Sequence, residues 1–157
     1  MPRIWRDVKR QVPNASLVIT SDYRLWGASS GGTEQYRSSL ASLGDVSYVG
    51  AVNRRELVKQ QLRADFHIYP CTYDELFCIS VAESLVAGAI PITTPQGALE
   101  TTNMGVKISR EKIVEHVVHL MKKPEKARKK REELLRLSRM RFNPVNISRQ
   151  WFESVLK

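Results

Sequence analysis

Residues 65–93 read DFHIYPCTYDELFCISVAESLVAGAIPIT, and the fold turns on how this stretch is parsed. Residues 65–69 have strand character and stop at Pro70; residues 79–88 repeat apolar side chains at helical spacing; residues 90–93 are apolar again. Strand, loop, helix and strand in that order make one parallel crossover unit. Within it Glu75 falls in the loop after a strand and Glu83 inside the following helix.

Upstream the alternation continues. Ile4, Trp5, Val8 and Val12 keep helical spacing over residues 3–11, and Pro13 and Asn14 end them before the short apolar run 17–19. A loop over residues 21–32 with Gly27, Gly31 and Gly32 precedes an expected helix 33–43, with Thr33 as its N-cap. The three glycines match no phosphate-binding motif and are expected in a flexible surface loop. A strand at 46–49 and a short helix at 54–62 follow. Downstream, residues 113–121, 125–140 and 147–156 read as helices.

Strands and helices in regular alternation predict an α/β domain, a Rossmann-like doubly wound parallel sheet flanked by helices. Ligands of such sheets bind beyond the carboxyl ends of the strands, which directs attention to the loop holding Glu75. On an ideal helix Val81, Ala82, Leu85 and Val86 form one apolar stripe, and Glu83 points about 130° from its centre. A carboxylate accepts hydrogen bonds from both hydroxyls of a vicinal diol, so Glu83 suits a ribose. The unpaired N–H groups at the start of the helix, Cys78 to Ser80, suit a diphosphate.

Pro70, Glu75, Phe77, Glu83, Gly88 and Pro91, with seven residues between the two glutamates, resemble the signature of GT-B glycosyltransferases of family 4 and their glycogen-synthase-like relatives. Val46 to Gly50 with Glu56 and Leu57, then Gly97 to Glu100, and finally Phe142 to Trp151 extend the likeness over nearly the whole chain. The resemblance implies the C-terminal half of a GT-B fold, retention of configuration, a nucleotide-diphosphate sugar as donor substrate, no other cofactor and no metal. By position, Glu75 would act in catalysis and bind the sugar with Phe77 and Cys78. Cys78, Ile79 and Ser80 would bind the phosphates, Glu83 the ribose, and Val52 and Leu57 the base. Cys71 and Cys78 stand where the family has Ser and Gly. The family's C-terminal domain opens with a strand and a basic phosphate-binding loop, so residues 1–157 are expected to be a single donor-binding domain that starts one element later. An acceptor domain or subunit would come from elsewhere. Two other readings remain open: a noncatalytic binding or membrane-assembly module derived from this fold, and a sugar-nucleotide epimerase-like enzyme.

With 42% apolar and 26% charged residues the composition is that of a folded globular chain. No apolar run approaches the roughly 20 residues of a membrane span, and Arg3, Arg6, Lys9 and Arg10 give the N-terminus no signal-peptide character. Two cysteines make no disulfide framework, and a cytoplasmic setting is expected. His67 lies in a strand, while His116 and His119 lie on a helix without a third metal ligand; all three are expected to be structural or surface residues. The net charge of +9 favours anionic partners. From Lys122 to Arg141 ten basic residues face three acidic ones, either a solvated helix face or a peripheral contact with an anionic membrane. The run lacks interleaved aromatics, which argues against nucleic acid.

Overall fold

The computed structural model describes residues 1–21 and 30–155 of the 157-residue chain. Most of the loop expected over residues 21–32 therefore lies outside the described residues, Gly27 included. In order, the elements are α1 (Pro2–Gln11), β1 (Leu17–Ile19), α2 (Ser30–Ala41), β2 (Val46–Tyr48), α3 (Arg54–Arg63), β3 (Phe66–Tyr69), α4 (Ile79–Ala87), β4 (Ile90–Thr93), α5 (Leu99–Thr102), β5 (Val106–Lys107), α6 (Ile113–Met121), α7 (Pro124–Arg141) and α8 (Pro144–Val155). The chain is mixed α/β and its sheets are parallel: β1 pairs with β2, and β3, β4 and β5 form a three-stranded sheet in that order.

Each element follows from local chemistry. In α1, Ile4, Trp5 and Val8 are buried on one face, and the Trp5 indole donates to the carbonyl of Gly44, 3.3 Å away. Asn53 caps α3 by accepting the Glu56 N–H at 3.0 Å, which satisfies one of the donors a helix start leaves unpaired. Gly88 ends α4 at φ +93°, a left-handed cap that glycine adopts without strain. All four residues of β4 are buried, and Pro91 sits mid-strand, one residue ahead of the ladder that joins Ile92 to Val106. It has no N–H to leave unpaired there.

Two expectations change, and two short elements are added. Helix α2 begins at Ser30, so Gly31 and Gly32 lie in its first turn and not in a loop, and Thr33 is a buried helical residue, not the N-cap. The first N–H groups of a helix need no intrahelical partner, so the glycines weaken α2 there less than they would at its centre. A short helix, α5, and a two-residue strand, β5, occupy a region without periodicity long enough to read. One core holds these parts together, built from Trp5, Val8, Val81, Leu85, Ile90, Ile92, Leu99, Ile113 and Val117 among others, with Leu17, Val46 and Phe66 packed against it. No helix among the described residues is long and apolar enough to cross a membrane.

Candidate functional site

Strand β3 delivers the chain to Pro70, and the loop to Cys78 carries Glu75. Two tyrosines reach that carboxylate. Tyr69, the last residue of β3, donates its hydroxyl to Glu75 Oε2 at 2.9 Å, and the Tyr73 hydroxyl lies 2.6 Å from that of Tyr69 and 3.4 Å from the same oxygen. With one proton per hydroxyl, the chain runs from Tyr73 through Tyr69 to Glu75. Burial first, then the hydrogen bonds with Tyr73 and Glu75, holds Tyr69 far above the usual phenol range. Glu75 Oε1 accepts the N–H of Leu76 at 3.2 Å.

The backbone of Glu75 is fixed from the far side. Ala98 donates its N–H to the Glu75 carbonyl at 2.7 Å, and Gly97, at φ +53°, comes so close that a Cβ there would stand 2.5 Å from that oxygen and 2.7 Å from the Glu75 nitrogen. Below, Thr94 donates to the Cys71 carbonyl at 2.6 Å, and buried Asn103 donates to Thr93 Oγ1 at 2.8 Å and to the Val106 carbonyl at 3.0 Å. The loop that bears Glu75 is thus anchored on the carboxyl end of β4.

Cys78 opens α4 at φ +60°, ψ 72°, a left-handed conformation that glycine adopts freely and a side chain rarely does. Its thiol is buried, 3.5 Å from Ser80 Oγ, and burial raises its pKa. It remains a protonated packing group near neutral pH, not a nucleophile. Its carbonyl takes the N–H groups of Val81 and Ala82, while Ile79 and Ser80 are exposed at the positive end of the nine-residue helix. Tyr73, Leu76, Phe77 and Ile79 project from the same loop, Leu76 at 91% exposure, and the Phe77 ring meets Phe142 edge-on at 6.3 Å.

Glu83 does not point freely to solvent. Helix α3 packs against α4, and both carboxylate oxygens are taken: Oε1 by the guanidinium of Arg54 and Oε2 by the Gln61 amide at 3.3 Å. The side chain keeps 19% exposure beside an Arg54 that keeps 71%. Val52, in the loop after β2, and Leu57, on α3, are half-buried beside Asn53 and Arg54. The structure thus gathers Glu75, Phe77, Cys78, Ile79 and Ser80 on one loop and helix start, with Glu83 one turn deeper toward α3.

Tyr69, Tyr73, Arg54 and Gln61 escaped the sequence reading. The tyrosines could have been found, since Tyr69 ends a strand and Tyr73 lies two residues before Glu75. Nothing local pairs Arg54 with a residue 29 positions away. Among the described residues no group of three or more His, Cys, Asp or Glu could hold a metal ion. The chain matches no protein-family model and no curated protein sequence.

Proposed function

We propose that this chain is a donor-binding domain of the GT-B type, taking a nucleotide-diphosphate sugar for a retaining glycosyl transfer as in the family 4 enzymes it resembles. The observation that carries the reading is the Glu75 loop and α4 start: a hydroxyl-bonded carboxylate beside a helix start with exposed, donor-rich residues. Sugar hydroxyls would replace Tyr73 on Glu75, the diphosphate would meet the N–H groups of Ile79 and Ser80, and the ribose diol would compete with Gln61 for Glu83. Arg54, on Glu83 already, would bring a cation to these anionic groups. The exposed collar of Tyr73, Leu76, Phe77 and Ile79 supports an acceptor-binding domain or subunit covering the loop. Such a cover would exclude water from the transfer.

The finer architecture belongs to the same reading. Strands of a doubly wound sheet run outward from a switch point in both directions. The orders β2-β1 and β3-β4-β5 fit the two halves of one such sheet, with the family's opening strand between β1 and β3.

Calorimetric titration of the chain with UDP-, GDP- and ADP-glucose tests this. One of the three is expected to bind, and Glu83→Gln to weaken it about tenfold through loss of charged hydrogen bonds. Failure of all three to bind would remove the proposal. A second reading, a noncatalytic module that kept the fold, is favoured by the saturation of Glu83 with Arg54 and Gln61. It predicts that Glu83→Gln lowers the melting temperature while no nucleotide binds.

A further inference from the structure

Behind helix α8 two unlike walls face each other. On one side α8 contributes polar side chains, Asn146, Arg149 and Gln150. On the other stand Met104, Leu137 and Met140, and a cleft of about 450 Å³ lies between, with Arg141 at the end of α7 also lining it. Arginine and amide groups gain nothing from thioether and leucine side chains, so neither wall satisfies the other. A molecule with a polar head and an apolar tail would satisfy both.

The charge on the polar side has one sign. Between Glu133 and Glu153 the chain has no acidic residue, and no acidic residue lines the cleft. Neither Arg141 nor Arg149 makes an ion pair with a described residue. The Arg141 guanidinium instead stands 5.9 Å from the centre of the Phe142 ring, a contact that holds the cation without neutralising it. Two arginines therefore remain for an anionic head, with the fork geometry that suits carboxylate or phosphate.

The cleft is held open by its own hydrogen bonds. Asn143 Oδ1, just before α8, accepts the N–H groups of Val145 at 2.9 Å and Asn146 at 3.3 Å. The Asn146 amide donates to the Met140 carbonyl at 3.1 Å. These bonds tie the first turn of α8 to the last turn of α7. The volume lies within the roughly 300–1,000 Å³ of small-molecule sites, and methionine side chains adapt to the shape of a tail.

We propose that this cleft binds a single-chain amphiphile with a carboxylate or phosphate head: Arg141, Arg149 and Gln150 take the head, and Met104, Leu137 and Met140 take the tail. None of the Glu75 or Glu83 site residues lines it, so the site stands whether or not a nucleotide sugar binds near Glu75.

The test titrates the full chain with dodecanoate and with dodecyl phosphate, both below micelle-forming concentrations, by calorimetry and by methyl NMR of the four methionines. Saturable binding is expected, with shifts at Met104 and Met140 and none at Met1 or Met121. Dodecyltrimethylammonium, with the opposite charge, and acetate, with no tail, should fail to bind. Arg141→Gln with Arg149→Gln should weaken binding on the order of tenfold or more. Met140→Glu, at a position 59% exposed, should abolish it while circular dichroism stays unchanged. Trp151→Ser, on the outer face of α8, should leave it intact. No binding, equal binding of the cationic amphiphile, indifference to the arginine pair, or shifts at other methionines alone overturns the proposal. So does capture of the chain by phosphatidylglycerol vesicles without uptake of either monomeric amphiphile, since the arginines would then serve a membrane surface and not a cleft ligand.

Discussion

Gly97 touches the backbone of Glu75 and adopts φ +53° in doing so. A methyl group there meets both a forbidding conformation and a carbonyl oxygen, so Gly97→Ala is expected to cost about 2 kcal/mol, within the range for strained backbone positions. Urea unfolding measures the loss, and unchanged stability would mean that the contact is not maintained in solution. Glu75 and Glu83 were legible because their spacing and flanks are local. What each carboxylate touches was not. Tyr69 and Tyr73 meet Glu75 only after β3 and its loop set three side chains around one point, and Arg54 meets Glu83 only after α3 lies on α4. Cys78 is an intermediate case: its side chain is plain in the sequence, but its left-handed backbone, a conformation that glycine adopts more freely, is not.

Among the elements, those with enough length for periodicity or a clear stop were legible. Helices α1, α4, α6 and α7 and strands β1 and β4 lie within a residue or so of where their apolar spacing puts them. Helix α3 also has a start signal in Asn53. Asn53→Ala removes the acceptor for the Glu56 N–H and should lower stability by about 1 kcal/mol, visible as a lower melting temperature; replacement by Asp or Ser should restore most of it. The start of α2 was misread because glycine was weighed as a loop residue, whereas in a first turn its main cost is backbone entropy. Strand β5 has two residues, too few for any alternation. The Asn103 amide, by accepting the Gly105 N–H and donating to the Val106 carbonyl, prepares it for pairing with β4.

At the scale of the whole molecule, His67 makes stability depend on pH. Its Nδ1 is shut away from solvent with no hydrogen-bond partner among the described residues, and burial lowers its pKa from 6.5 to about 4. The unfolded chain takes up this proton below about pH 6.5, and the folded chain does so only near 4. Above 6.5 both states are neutral and His67 contributes nothing. Between the two values the unfolded state binds more protons, so stability falls with falling pH, by up to ~3 kcal/mol at the lower limit. Denaturant titrations at pH 7.5 and pH 5 should show the decline, and His67→Leu should flatten it; an equal slope in the variant would assign the proton uptake elsewhere. The α/β class of the whole was legible from alternation alone. The division of the described strands into two sheets was not, because sheet order is set by which edges meet in space.

The two thiols have a practical consequence. Cys71 and Cys78 bracket the loop that carries Glu75; both are unpaired, at 5% and 7% exposure. A thiol reagent in solution must wait for that loop to lift before it can react. The speed of alkylation is then a clock for local opening, readable by mass spectrometry on the unaltered polypeptide. Any molecule that settles against Glu75 would slow that clock, whatever its chemical identity.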